Sequence, residues 1–268
     1  MGTITVIFIL LLQSNTFSGA NVGHNIITVS KIASTNEYLK DELSKSTPLH
    51  EGTVIMAVQQ TAGKGQRGAS WESEPGKNLT CSVLLYPTFL DPRQQFILTI
   101  AISVAVARAL EALTLEPVRI KWPNDIFVGD RKVAGILIEN QLQGQRWKSA
   151  IVGLGLNVNQ EVFSENIAAR ATSLRIVTGQ SHDLHKTLST LCHYIGKAYA
   201  ELRAGLSERL RRQYDARLFA RGELREFLLE GGTRIRGKIV GVSELGELLV
   251  EFKGHRSSFG IKEIAYTF

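Results

Sequence analysis

The sequence predicts an α+β protein: a large mixed domain to about residue 218, then a small β-barrel-sized module of about fifty residues. Three observations predict it. Strand and helix patterns are interspersed along most of the chain, whereas from Thr233 onward only short alternating strands occur. The 268 residues, 44% hydrophobic and 21% charged, suffice for one sizeable core plus a smaller second domain. No internal repeat interrupts this reading.

The elements follow in order. Ile26 to Lys31 is a short strand, and Ser34 and Glu37 have the capping-box spacing that opens a helix through about Lys45. Thr53–Val58 is a buried strand, followed by a stretch rich in Gly, Lys and Arg. Leu79–Tyr86 is another strand. From Arg93 to Leu113, Phe96, Ile100, Val104 and Leu110 recur at helical spacing, which predicts a core helix. Val118–Trp122 is a strand that ends at Pro123, and Ile126–Val128 and Val133–Glu139 flank a Gly129-Asp130 hairpin turn. Lys148–Asn159 is a further strand. His185–Arg203 and Ser207–Phe219 are helical, the second basic on its surface. Ile235–Val242 and Leu248–Lys253 are strands of the final module.

Composition excludes collagen-like, low-complexity and largely disordered classes. Cys81 and Cys192 cannot staple a chain this long and are expected to be free, buried thiols of a reducing, cytoplasmic protein. His182 and His185 are the nearest approach to a metal pair, with no second pair to join them. The net charge of +6 leaves nucleic acid, a membrane surface and an anionic small substrate open. Residues 1–22 are expected to be an N-terminal extension. Its apolar run Ile4–Leu12 is about half of what spans a bilayer and has signal-core length, but no Lys or Arg precedes it. An upstream extension or an early start codon is the expectation, and nothing later is expected to be apolar enough to span a membrane.

Four stretches are candidates for chemistry. In Gln60-Thr-Ala-Gly-Lys-Gly-Gln-Arg-Gly-Ala-Ser-Trp71, Gly63, Gly65 and Gly68 allow close backbone approach to a ligand, and Lys64 and Arg67 suit phosphate or carboxylate. The stretch lacks a P-loop ending and does not fit the dinucleotide fingerprint. On composition alone it is equally a solvated turn. Next, Lys121-Trp122-Pro123-Asn124-Asp125 puts a lysine at the end of a core strand, which is costly unless it meets an anion or snorkels to the sheet edge. In Arg131-Lys132-Val-Ala-Gly135-Ile-Leu-Ile-Glu139, Ala134 and Gly135 remove bulk where a ligand can lie against the sheet. Finally, Gly153-Leu-Gly155-Leu-Asn157 ends in an amide suited to a metal-bound phosphate oxygen. Singly, the last two are more often plain packing.

Together with Ser34-Thr35-Asn36, these stretches resemble the biotin–protein ligases in order and spacing over roughly residues 26–160, and the small C-terminal module extends the likeness. The resemblance implies a class II aminoacyl-tRNA synthetase-like mixed sheet with flanking helices over residues 23–218, and an SH3-like barrel over 219–268. It implies an ATP-dependent ligase that forms biotinyl-5′-adenylate and transfers biotin to one lysine of a carboxylase's biotin carrier domain. ATP with Mg²⁺ and biotin enter as substrates, with no tightly bound prosthetic group. Lys121 is implied as the catalytic cation touching biotin carboxylate and α-phosphate. Ser34, Thr35, Asn36, Gln60, Lys64, Gly65, Gln66 and Gly135 are implied biotin contacts. Lys64, Arg67, Trp71, Lys132 and Asn157 are implied ATP or adenylate contacts, and Asn157 is also the implied Mg²⁺ contact.

Many members read Gly-Arg-Gly-Arg-Arg-Gly where this chain has Lys64 and Gln66. Lysine loses the planar fork and glutamine the charge, so a weaker hold on the adenylate is expected. Members that also repress transcription carry a helix-turn-helix domain. Only about twenty-five residues precede the core here, so a form without it is expected. A lipoate or octanoyl ligase is the rival enzyme, but its glycine-rich signature is not found. A nucleic-acid protein is the rival from Arg203, Arg209, Arg211, Arg212, Arg217, Arg221 and Arg225, which read more simply as a solvated face. They also suit steering of an acidic acceptor, and Arg256 and Lys262 suit ATP or acceptor. The expected partner is the carrier domain, with neither DNA nor membrane. Monomer and homodimer remain open.

Overall fold

The computed structural model describes residues 22–45 and 49–267, so the apolar run Ile4–Leu12 lies outside the described residues. Strand β1 (Ile26–Ile32) leads into helix α1 (Thr35–Leu43). Ser34 is the N-cap of α1, but its side chain makes no capping hydrogen bond. The expected capping box is not formed, because Glu37 is drawn away to Lys64, with Nζ 2.6 Å from Oε1. An ammonium is a stronger partner for a carboxylate than one backbone N–H.

Strands β2 (Val54–Gln60) and β3 (Leu79–Leu85) follow, then α2 (Phe96–Thr114). α2 starts later than its periodicity suggests. Residues 92–94 form a separate tight turn, whose preceding Asp91 accepts a hydrogen bond from the Arg93 N–H. β4 (Val118–Lys121), β5 (Asp125–Val128), β6 (Arg131–Gln143) and β7 (Arg146–Leu156) complete a seven-stranded mixed sheet of order β1-β2-β3-β7-β6-β5-β4. Only β1 and β2 pair in parallel in it. The β5–β6 hairpin turns at Gly129, whose φ of +59° favours glycine, as the sequence predicts. Short helices α3 (Glu165–Ala168) and α4 (Leu174–Thr178) precede α5 (Leu184–Arg203) and α6 (Ser207–Arg217).

Side-chain alternation on the central strands divides the core. Val54, Met56, Val83 and Leu85 face α2 and α5, whereas Ile55 and Leu84 face α1 with Leu39. Burial on both faces explains why Val54–Ala57 of β2 reads as a continuous apolar run. α2 is long and apolar enough to cross a membrane by length and composition, which corrects the expectation that nothing beyond the N-terminus is. Most of it is buried against the sheet, α5 and α6. Several arginines that raised nucleic acid are in ion pairs: Arg203 with Glu51, Arg217 with Glu111 and Arg225 with Glu223.

A second, five-stranded antiparallel sheet follows: β8 (Leu224–Leu229), β9 (Arg234–Val242), β10 (Leu248–Phe252), β11 (His255–Phe259) and β12 (Ile264–Tyr266), in order β11-β10-β9-β8-β12. β8 begins before Thr233, where the sequence pattern first reads as strand. Phe227 is its only fully buried residue, so β8 shows no apolar alternation. The sheet shares a core with the first one through Phe227, Ile239, Leu248 and Val250. Trp122 Nε1 donates to Gly246 O at 2.9 Å, and a Cβ at Gly246 would meet the Phe96 ring at 2.5 Å. The motif strand β4 is thus bolted to the β9–β10 turn.

Candidate active site

A cavity lies between the start of α1, the Gln60–Trp71 stretch and strands β3, β6 and β7. Thr35 and Gln60 meet across it: Gln60 Oε1 accepts from the Thr35 N–H at 2.7 Å and from its hydroxyl at 3.1 Å. The Ser82 hydroxyl lies 2.6 Å from Thr35 Oγ1 and donates to Asn36 Oδ1 at 2.6 Å. Asn36 Nδ2 donates to Glu139 Oε2 at 2.6 Å. These bonds fix buried polar groups that would otherwise be costly and give the cavity a rigid hydrogen-bonding wall. Asn36 fits only because residue 153 is glycine, since a Cβ there would sit 2.5 Å from Asn36 Oδ1.

The glycine-rich stretch folds back on itself. Gly65 N donates to Ala69 O at 2.7 Å, and Trp71 N to Gly63 O at 2.9 Å. Outside these backbone bonds, Lys64 is held by Glu37. That contact keeps the Glu37 carboxyl below its ordinary range and raises Lys64. The Trp71 ring is laid over Gly155 and Gly135, where a Cβ would come within 2.3 Å and 3.2 Å of it. Its buried Nε1 has no hydrogen-bond partner among the described residues.

The cations form a second group. Lys132 lines the cavity, with Nζ 2.6 Å from Asp125 Oδ1 and 5.5 Å from the Trp71 ring centroid. Lys121 is 3.8 Å from the other oxygen of Asp125, between the rings of Phe127 and Tyr266. Burial pushes Lys121 below its ordinary value. Asp125 opposes this, while Lys132 and Arg170 add to it.

Of the residues singled out in the sequence, Ser34, Thr35, Asn36, Gln60, Lys64, Gly65, Trp71, Lys132 and Gly135 line the cavity. Lys121 does not line this cavity and is joined to it through Asp125 and Lys132. Asn157 is buried away from the cavity, with Nδ2 donating to Thr172 O at 2.9 Å. Gln66 does not line it, and the Arg67 side chain lies outside the described ones. Sequence reasoning missed Ser82, whose signal was a hydroxyl in a wholly buried strand. It also gave no role to Glu37, Asn124, Asp125 or Glu139. Asp125 was visible inside its motif, but its bridging of two lysines depends on the β4–β5–β6 pairing. Among the described residues, no three His, Cys, Asp or Glu side chains cluster as a metal site.

The chain is similar to proteins of known activity. The Biotin/lipoate A/B protein ligase family matches residues 28–157. The bifunctional ligase/repressor BirA of Bacillus subtilis is 30% identical over 246 residues, which are 91% of this chain and 73% of that protein. The chain belongs to the biotin–protein ligase family. The biotin–[acetyl-CoA-carboxylase] ligase of Mycobacterium tuberculosis is 27% identical over 240 residues, covering 88% of this chain and 87% of that protein. Biotin protein ligase of Aquifex aeolicus, solved in complex with biotin and ATP, superposes with a TM-score of 0.76. It is 30% identical over 90% of this chain and 97% of that one. As a biotin–protein ligase, the chain is an enzyme.

Proposed function

We propose that the enzyme joins biotin to protein in two steps. A biotin carboxylate oxygen attacks the α-phosphorus of MgATP, the bond to the β-phosphate breaks, and pyrophosphate leaves with biotinyl-5′-adenylate as product. The ε-amine of one lysine on a carboxylase's biotin carrier domain then attacks the acyl carbon. AMP departs and the amine loses a proton.

One observation carries this reading: a single cavity is lined both by the fixed Thr35–Gln60–Asn36 hydrogen-bonding wall and by Lys132. The wall suits a ureido ring, a neutral group rich in donors and acceptors. A lysine in the same cavity suits the two anions that must approach each other, and it stabilises the charge that develops at phosphorus. Lys121 is our candidate for that contact, and Lys132, which lines the cavity and shares Asp125 with it, supports it on the phosphate side. Ser34 and Gly135 complete the biotin side in this reading. Lys64, Gly65, Gln66 and Arg67 belong to a flap over biotin and adenylate, closing to exclude water from a hydrolysable anhydride. Trp71 offers its ring and Nε1 to the nucleotide. Asn157 enters only as a support for the phosphate or Mg²⁺ end, behind its Thr172 bond. The catalytic domain is taken as residues 23–218 and the SH3-like domain as 219–268. The buried free thiols of Cys81 and Cys192 suit a reducing cytoplasm.

The test is incubation with ATP, Mg²⁺, biotin and a biotin carrier domain. Biotin-dependent pyrophosphate release with modification of one carrier lysine is expected. Equal turnover with lipoate in place of biotin would reassign the substrate, and no turnover with either would remove the proposal.

A further inference from the structure

The hydrogen-bonding wall of the cavity is tied to a carboxylate that does not itself line it. The β3–β7–β6 register sets Ser82, Gly153 and Leu137 in one row across the sheet. Glu139 stands two residues further along β6, on the same face. From there Glu139 Oε2 accepts from Asn36 Nδ2 at 2.6 Å, and Leu137 O accepts from the same nitrogen at 3.4 Å. Glu139 is absent from the cavity lining, whereas Thr35, Asn36 and Gln60 belong to it. We propose that Glu139 is a positioning residue for biotin. It fixes the direction of the hydrogen bonds that run through Asn36 and Ser82 to Thr35, and so makes the Thr35 hydroxyl an acceptor toward the ligand.

Each link of the chain allows one direction. A carboxylate and a carbonyl oxygen only accept, so they hold Asn36 with Nδ2 toward β6 and Oδ1 toward Ser82. Oδ1 also only accepts, so the single Ser82 proton goes to it at 2.6 Å. The 2.6 Å contact between Ser82 Oγ and Thr35 Oγ1 then requires the Thr35 proton. Gln60 Oε1 shares that proton only as the longer arm, at 3.1 Å, and its firm donor is the Thr35 N–H at 2.7 Å. That N–H turns Gln60 Nε2 away from Thr35, and among the described residues Nε2 donates to none. With its proton directed inward, Thr35 Oγ1 offers a lone pair to the cavity, beside the N–H donors of Gln60. An acceptor next to a donor matches the N–H and C=O of a ureido ring, and naming biotin as that ligand rests on the proposed function. Thr35, Asn36 and Ser82 are all buried, so water does not readily substitute for a broken link. Without Glu139 the Asn36 amide is free to turn over. Ser82 can then donate to Thr35, whose own proton turns toward the cavity and opposes a ligand N–H.

The experiment compares calorimetric binding of biotin and its two mono-N-methylated ureido analogues. The proteins are wild type, Glu139→Gln, Glu139→Leu, Ser82→Ala and the double variant of the last two. Glu139→Gln still has an amide oxygen for Asn36 and should bind biotin within about threefold of wild type. Glu139→Leu should weaken biotin by about tenfold, the size of one hydrogen bond, with an unchanged KM for ATP. Wild type should reject most strongly the analogue that lacks the N–H facing Thr35, and Glu139→Leu should lose much of that discrimination. Losses in Glu139→Leu and Ser82→Ala should not add, because both break one chain. Additive losses would overturn the proposal, as would a Glu139→Leu loss equal for all three ligands or matched by Glu139→Gln. Neutron diffraction from the deuterated, ligand-free wild type reads the direction without any ligand, and it decides if Glu139→Leu fails to fold. A deuteron on Thr35 Oγ1 facing Ser82, and one on Ser82 Oγ facing Asn36, are expected. A Ser82 deuteron facing Thr35 would overturn the proposal. If the wild type binds no biotin, the proposed function fails, and the deuteron positions still decide the role of Glu139.

Discussion

The indole of Trp71 lies directly on Gly155: a Cβ at 155 would be 2.3 Å from Cε2. Strand β7 carries glycine there so that a side chain from the Gln60–Trp71 stretch can rest flat on the sheet. Gly155→Ala is therefore expected to expel the ring, because backbone on a central strand cannot yield and the indole must. The loss should fall on the nucleotide, raising KM for ATP by about tenfold or more while KM for biotin changes little. Intrinsic Trp71 fluorescence should shift in the variant. An unchanged spectrum with unchanged ATP kinetics would refute the placement.

The two lysines on Asp125 should separate kinetically. Lys121→Met is expected to lower kcat by about a hundredfold or more, the size typical of losing one transition-state charge contact. Lys132→Met, which shares Asp125 with it, should cost about tenfold. Single-turnover adenylation measures both, and a larger loss at Lys132 would move the central role to that residue.

Glu37 and Lys64 tie the glycine-rich stretch to α1, and both are substantially exposed. The pair is worth little to global stability, because both groups stay largely hydrated and salt screens their attraction. Its pH dependence has a definite sign. Lys64 holds the Glu37 carboxyl below its ordinary value, so on the acid side the contact is complete above that value and is lost as pH falls through the lowered one. On the alkaline side it persists until pH rises through the raised Lys64 value. Glu37→Gln should therefore leave Tm nearly unchanged at pH 7 and speed tryptic cleavage after Lys64. Cleavage at the wild-type rate would show that the ion pair does not restrain the stretch.

Gln66 stands where the family resemblance implies arginine, and it does not line the cavity. Gln66→Arg should slow release of preformed biotinyl-adenylate, since a guanidinium gives a phosphate two charge-assisted bonds where an amide gives one neutral bond. Rapid filtration of the enzyme–adenylate complex measures the rate, and an equal or faster release would sink the idea.

Much of the architecture was legible because local patterns carried it. The Phe96–Leu110 spacing announced α2, Gly129-Asp130 announced the β5–β6 hairpin, and the strands of the first sheet were found within a few residues. β8, β11 and β12 were not legible, because strands with one buried residue in three or fewer leave no alternation to read. The capping box failed for a tertiary reason. Ser34 and Glu37 have the right separation, but Lys64, remote in sequence, competes for the carboxylate.

By itself the sequence determined the kind of chemistry: which glycines, amides and cations travel together, and hence the family. Only the tertiary structure decided which of two motif lysines lines the cavity. Lys121 and Lys132 are equally basic and equally close to a strand end in the sequence. The β4–β5–β6 register turns Lys132 toward Trp71 and Gly135, and leaves Lys121 among Phe127, Asp125 and the Tyr266 ring of the second sheet. Charge type is written residue by residue, but the surroundings that set its use are assembled from strands distant in the chain.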